Sequence, residues 1–461
     1  MIVFDTVAAV STPRGKGGVA VIRISGSESA GILEKVFRPA GKVTPADSPR
    51  TAVYGKVISP EDFSELDRVI ATFYKAPASY TGEDMAEISC HGGVYVTYAV
   101  LSAVLAAGAR GAEAGEFTRR AFINGKLTLT EAEAVGELLD ADTGDRLRLA
   151  SSALGGKLSD RVRDIGDKLL GAMTALYAAI DYPEEDLSEM SDGDVAEVID
   201  NAVAEISALR ATYKRGRAVS EGVKCVICGS PNAGKSSLYN LIVGEESAIV
   251  TDIAGTTRDV LRERVSFGGV TLELCDTAGL RDTEDAVESI GVKRAETEIG
   301  KAQLVLAVFD GSRHLTEDDR AMTGLYDRAC AVAVINKSDL GCVLEDIELE
   351  FIKSRHVKTV ELCCSTAHGI ESLADAVGEL YDTASCRIGE DAVIWSARQN
   401  AALTKAEEYL TEAAEAHRLG ESADAVCTLC ESAMGYLLST DGRGVTEEIV
   451  SGIFSKFCVG K

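Results

Sequence analysis

Gly229-Ser230-Pro231-Asn232-Ala233-Gly234-Lys235-Ser236 follows the strand-like run Val223–Cys228 and precedes the helical run Leu238–Val243. A glycine-bearing turn between a buried strand and a helix turns backbone N–H groups inward on phosphate oxygens, and the helix N-terminus adds its dipole. Lys235 can reach the β and γ phosphates, and the Ser236 hydroxyl can ligate Mg2+; Asn232, Ala233, Gly234 and Ser237 complete the expected nucleotide contacts of this loop. From Glu221 to about Leu380 strands and helices alternate, which predicts a parallel α/β block around it.

Two further motifs follow in order. Val270, Leu272 and Leu274 alternate like a strand and lead into Asp276-Thr277-Ala278-Gly279. There Asp276 can hold Mg2+ through water, and the Gly279 N–H can meet the γ-phosphate. Ala331–Ile335 is another buried strand, ending in Asn336-Lys337-Ser338-Asp339. A carboxylate at Asp339 can accept both N–H donors of guanine, which adenine does not offer. Ser365-Thr366-Ala367 falls where a guanine-binding loop is expected. The set resembles the GTPase family of P-loop proteins. Gly255-Thr256-Thr257-Arg258-Asp259 suits a segment that senses the γ-phosphate, with Thr257 as a second protein ligand to Mg2+, and Thr251, Asp252, Ile253 and Ala254 just before it are expected as further nucleotide contacts.

Many GTPases place a glutamine after that glycine to orient the attacking water, but this chain has Leu280, which neither donates nor accepts. A polar group must come from elsewhere, and Asp282, Glu284, Asp285 and Glu288 are the candidates. Asn232 brings a neutral amide oxygen near the α and β phosphates, either to steady the loop or to hold a monovalent cation that neutralises developing charge.

Outside this block, residues 1–120 alternate β-rich runs (Val19–Ile24, Val69–Tyr74, Met85–Ser89) with turns and one helical run, Val94–Leu105. Helical periodicity then runs to about Tyr213, with a capping box at Thr130/Glu133 and a break at Pro183. A second capping box, Ser396/Gln399, opens a helical tail too short for a large core of its own. The expected division is therefore 1–120, a helical part at 121–215, an inserted nucleotide-binding domain at 216–385, and a second helical part at 386–461. The fold class is multidomain α/β: an α+β N-terminal domain, a discontinuous all-α domain and an inserted Ras-like P-loop domain.

Of 461 residues, 46% are hydrophobic and 26% charged, an ordinary globular balance. The net charge is −26, while residues 1–120 carry 13 basic and 13 acidic side chains, so the excess acid lies beyond them. An acidic surface argues against indiscriminate binding to nucleic acid; an RNA partner would need a local basic patch or a helper protein. No apolar run is long enough to span a bilayer and no secretion signal opens the chain, which predicts a soluble, cytoplasmic protein. Twelve cysteines include the pairs Cys225/Cys228 and Cys427/Cys430, expected as buried reduced thiols and not as zinc ligands.

The motifs converge on one resemblance. The diagnostic pieces are Thr12–Gly18, Arg23–Gly26, Tyr80-Thr81-Gly82-Glu83-Asp84, His91–Gly93, Gly115–Phe122 and the terminal Phe457–Lys461. With the inserted block, these resemble the MnmE/TrmE family of tRNA-modification GTPases along the whole chain. The resemblance implies a folate-binding N-terminal domain that also forms a homodimer. It implies an FAD-dependent partner, MnmG (GidA), and a reduced folate, 5,10-methylene- or 5-formyl-tetrahydrofolate, as one-carbon donor to C5 of the wobble uridine of certain tRNAs. By position, Arg23, Glu87, Lys126 and Lys461 would contact folate. K+ would sit on Asn232, with Thr251, Ile253 and Thr256 completing its surroundings, and Glu288 would orient the water. The catalytic set so implied is Lys235, Thr257, Gly279, Glu288 and Cys458. Cys458 is a candidate nucleophile near the folate or an anchor for the tail. A ribosome-assembly GTPase switch is the competing function.

Overall fold

The computed structural model describes residues 5–13, 15–181, 190–245, 262–275, 298–327 and 330–460. The chain falls into two compact units: Met1–Gly136 with Asp441–Lys461, and Glu137–Thr440.

The first unit carries β1 (Val7–Val10), β2 (Val19–Ser25), α1 (Ser29–Val36), β3 (Phe37–Pro39), β4 (Val53–Ile58), β5 (Glu65–Tyr74), β6 (Met85–His91), α2 (Val94–Ala106) and β7 (Arg110–Gly111). The sheet order is β3-β4-β5-β6-β2-β1-β7, antiparallel except between β1 and β7. Because side chains alternate across a strand, Ile22, Ile24, Ala86 and Ile88 share a core with Ile32, Leu33, Val100 and Val104 from α1 and α2. The opposite face carries the in-register row Tyr54, Ile70, Ser89 and Val21. Tyr54 and Ile70 are exposed there.

α3 (Glu116–Ile123), α4 (Leu129–Leu139) and the C-terminal helix Glu447–Phe454 complete this unit. The cap of α4 differs from the expected Thr130/Glu133. Thr128 N–H donates to Glu131 Oε2 at 2.7 Å, and Glu131 N–H donates to Thr128 Oγ1 at 3.1 Å. Thr-Leu-Thr-Glu-Ala-Glu offers two cap registers, and the earlier one lets Thr130 and Ala132 be fully buried.

Much of the family-like sequence here is scaffold. Arg120, 2% exposed in its side chain, donates to Asp5 O (2.8 Å), Glu83 Oε2 (3.1 Å) and Glu116 Oε1 (2.7 Å). Glu83 also accepts from Ser25 Oγ at 2.8 Å, and Thr118 shares a 2.9 Å hydrogen bond with Tyr80 OH. Gly115 has φ +66°, and a Cβ there would lie 2.5 Å from Phe454 O, so only glycine allows the C-terminal helix this close.

The second unit opens with α5 (Gly144–Leu154), α6 (Lys157–Asp181), α7 (Asp192–Ala211) and α8 (Tyr213–Ser220). Next come β8 (Val223–Gly229), α9 (Lys235–Glu245), β9 (Arg262–Phe267), β10 (Val270–Cys275), β11 (Leu304–Asp310), α10 (Glu317–Met322), β12 (Ala331–Asn336), α11 (Asp346–Arg355), β13 (Lys358–Glu361) and α12 (Ile370–Leu380). α13 (Ala397–Arg418) and α14 (Ala423–Thr440) end it. The six-stranded sheet runs β13-β12-β11-β8-β10-β9, parallel but for the β9–β10 hairpin. α6, α7, α13 and α14 pack on one another, so helices from before and after the α/β block form one bundle. The Ser396/Gln399 capping box starts α13 as expected.

Cys225 and Cys228 lie three apart on β8, an odd spacing that sends their thiols to opposite sheet faces and into separate cores. Burial pushes the Cys228 thiol up to about 12 and raises Cys225 further. Cys427 and Cys430 are buried on α14. Among the described residues no helix is long and apolar enough to cross a membrane.

Candidate functional site

β8 is a central strand, flanked by β10 and β11, and its C-terminal end is where the chain passes to opposite sides of the sheet. Open parallel sheets bind ligands at such a crevice. A cavity of about 480 Å³ lies there, lined by Asn232, Gly234–Ser237, Asn336, Lys337, Asp339, Leu340 and Cys363–Ser365.

Its phosphate end is built by close backbone packing. Asn232 adopts φ +62° and Gly234 φ +106°, which turn the loop around α9. A Cβ at Gly234 would stand 2.1 Å from Asn336 Nδ2, so the glycine leaves room for that amide. Asn336 Nδ2 donates to Ala233 O at 2.9 Å, and its Oδ1 accepts from Cys364 N–H at 3.1 Å. One side chain thereby ties the phosphate loop to the turn after β13. Lys235 Nζ donates to Ser230 O at 2.9 Å, from which a bound phosphate would compete it away. Ser236 and Ser237 are exposed in the first turn of α9.

The opposite end is polar and suits a base. Asp339 is exposed on a 3₁₀ turn, Ser338–Leu340. Lys337, at φ +64°, donates to Asp310 Oδ2 at 2.6 Å, fixing the aliphatic stem between the two ends. Burial pushes the Asp310 carboxyl up, but hydrogen bonds from Lys337 and Ser312 outweigh it and hold the group below its ordinary value. Ser365 lines the cavity, whereas Thr366 and Ala367 do not; Ala367 lines a different surface hollow beside α12. Cys363 and Cys364 occupy the wall in their place. The sequence signal for them is distance from the end of β13, not residue type. Thr251–Thr257, Asp276–Gly279 and Glu288 lie outside the described residues.

The first unit holds a second cluster. Arg23 and Glu87 are cross-strand partners, with Arg23 Nη2 2.9 Å from Glu87 Oε1. Tyr74 OH donates to Glu87 Oε2 at 3.3 Å. Burial first, then the Glu87 carboxylate, raises the Tyr74 phenol above its ordinary value. The Arg23 guanidinium sits 5.1 Å from the Tyr80 ring centroid and 5.6 Å from that of Phe117, within cation–π range. Lys126 Nζ donates to Pro77 O at 3.2 Å, beside the loop that carries Tyr80. The tail packs within the same unit: Ala114 bridges Val459, Ser11 Oγ donates to Gly460 O at 2.9 Å, and Gly115 N–H donates to Cys458 O at 3.4 Å. Cys458 is exposed, and Lys461 lies outside the described residues.

A phosphate loop at the head of a parallel sheet, stapled by Asn336 to a polar pocket that carries the exposed Asp339 carboxylate, defines a P-loop GTPase. The model of the GTP-binding protein TrmE N-terminus matches residues 6–126, and that of the MnmE helical domain matches residues 129–458. The tRNA modification GTPase MnmE of Thermoanaerobacter pseudethanolicus is 38% identical over 461 residues, covering 100% of both chains. Those of Clostridioides difficile (37%, 100% of each chain) and Lactiplantibacillus plantarum (38%, 99% of each) are similar throughout. The chain belongs to the MnmE family of tRNA modification GTPases. Among solved structures, the G domain of the T. maritima FeoB iron transporter covers 34% of this chain and 98% of that one, at 23% identity and a TM-score of 0.26.

Proposed function

We propose that this chain is a potassium-activated GTPase that installs the carboxymethylaminomethyl or aminomethyl group at C5 of the wobble uridine of certain tRNAs. In this reading it acts in the cytoplasm with an FAD-dependent partner of the MnmG kind and a reduced folate as one-carbon donor. The observation that carries the proposal is the full-length relation to MnmE proteins, joined to a cavity whose two ends suit phosphate and guanine.

Within it, Asn232–Ser237 would hold the phosphates, and Asn336–Asp339 with Ser365 the base. Thr251–Thr257 and Asp276–Gly279 would sense the γ-phosphate, and Glu288 would orient the water that Leu280 does not. The Ser236 hydroxyl, exposed on the cavity wall, fits Mg2+, which would neutralise phosphate charge; Thr257 is its proposed second ligand. The amide of Asn232, held in a left-handed turn on the same wall, fits K+. The division into 1–120, 121–215, 216–385 and 386–461 is proposed as the functional one, with the inserted domain moving against the rest during the GTP cycle. The exposed row of Tyr54 and Ile70 supports a homodimer through the first sheet.

Folate is proposed to bind at Arg23, Glu87, Lys126 and Lys461. Arg23 suits a glutamate tail, and Glu87 Oε2 keeps room for a further donor beside Tyr74. Calorimetric titration of the full chain with 5-formyl-tetrahydrofolate should give saturable binding, weakened about tenfold or more by Arg23→Ala and by removal of Lys461. A chain that binds GTP but no folate would refute this reading and favour a ribosome-assembly switch.

A further inference from the structure

Asp339 stands exposed on a turn of three residues, yet it must present both carboxylate oxygens in one orientation to meet the two N–H groups of guanine. An aspartate on such a turn would sample several rotamers, and freezing them on binding costs affinity. Something has to hold it. Among the described residues the side-chain donor on Asp339 is a thiol: Cys363 Sγ lies 3.1 Å from Asp339 Oδ1. Cys363 is 2% exposed and is fixed by its own backbone, whose N–H donates to His368 O at 2.9 Å. Its sulfur also lies 3.0 Å from Ser365 Oγ.

These contacts form a relay with a definite sense. The Asp339 carboxylate only accepts, so Cys363 S–H donates to it. The sulfur in turn accepts from the Ser365 hydroxyl. The hydroxyls of Ser365 and then Thr366 hold the thiol below its ordinary value, with Asp339 opposing them. Each carboxylate oxygen has two lone-pair directions. The thiol takes one on Oδ1 and leaves one there and the Oδ2 pair for N1–H and N2–H of the base.

We propose that Cys363 is a positioning residue for guanine recognition, its thiol holding the Asp339 carboxylate in the orientation that reads the base edge. The inference rests on the reading of this cavity as a guanine nucleotide site. Cys363 takes no part in hydrolysis; its effect is on which base is bound and how tightly.

The test compares GDP with inosine diphosphate, which lacks the N2 amino group and so gains less from a correctly turned carboxylate. Cys363→Ala should bind GDP roughly threefold to tenfold more weakly and narrow the GDP-over-IDP preference. Cys363→Ser, which keeps a donor, should restore both. In an Asp339→Ala background Cys363→Ala should cost nothing more, because the group it positions is gone. Unchanged affinity and preference in Cys363→Ala would overturn the proposal. So would an undiminished Cys363→Ala loss in the Asp339→Ala background, which would assign the thiol to packing. Failure of the unaltered chain to bind GDP would instead overturn the site reading on which the inference rests.

Discussion

Asp339→Asn is expected to turn the guanine site into a xanthine site. The carboxylate accepts N1–H and N2–H; the amide replaces one oxygen with a donor, so a donor faces a donor. Leaving that bond unmade costs about 1–3 kcal/mol, roughly a 5-fold to 150-fold loss of GDP affinity. Xanthosine diphosphate carries a carbonyl where guanosine diphosphate carries the amino group, and the amide N–H can donate to it. Competition binding should therefore show GDP preferred by the unaltered chain and xanthosine diphosphate preferred by the variant. A variant that still prefers guanine would show that Asp339 does not read the base.

The second large effect concerns stability. Arg120→Ala should destabilise the first unit by about 3–5 kcal/mol, since removing one partner of a buried ion cluster strands the others. Those left behind are Glu83 and Glu116, whose side chains are 15% and 10% exposed. Burial pushes the Glu116 carboxyl up, yet hydrogen bonds from Arg110, the Glu113 N–H and Arg120 outweigh it and hold it below its ordinary value. A carboxyl depressed in the folded state contributes stability above its unfolded pKa and loses it as pH falls through the folded one. The gap between Arg120→Ala and the unaltered chain should accordingly shrink in acid. Hydrogen exchange of the β1 and β2 amides in the full chain reports the loss. The neighbouring Arg119→Ala, which removes a more exposed pair with Glu447, is the control and should cost less than about 1 kcal/mol. Equal effects of the two substitutions would contradict the account.

The phosphate loop was legible because its chemistry forces its sequence: Gly234 must lack a Cβ for Asn336 to reach Ala233 O. Asn336 was legible for the same reason, since its amide both donates to Ala233 O and accepts from Cys364 N–H. The turn after β13 was not. Ser365, Thr366 and Ala367 look like a polar small-residue loop, but the strand ends at Glu361, which brings Cys363, Cys364 and Ser365 to the cavity. Backbone N–H groups and a thiol do the work there, and neither is announced by residue type. The cap of α4 misled in a similar way, because two threonine registers satisfy one pattern and burial of Thr130 chooses between them. In the first unit, Thr81, Glu83, Thr118 and Arg120 stand in motifs that mark the family, yet Thr81 pairs with Ser25, Glu83 with Arg120 and Thr118 with Tyr80, contacts that hold the loop carrying Tyr80 against Arg23. A motif can be diagnostic because a scaffold needs it.

The most direct test is reconstitution of the modification. Undermodified tRNA is incubated with the full chain, an FAD-dependent MnmG-type partner, a reduced folate, ammonium or glycine, GTP and K+, and its wobble uridine is weighed by mass spectrometry. The account predicts a mass gain matching the aminomethyl or carboxymethylaminomethyl group. That gain should disappear without GTP or folate, fall sharply when Na+ replaces K+, and stay at background with Glu288→Ala, which should bind GTP without turning it over. A wobble uridine left unmodified while the same mixture hydrolyses GTP would contradict it.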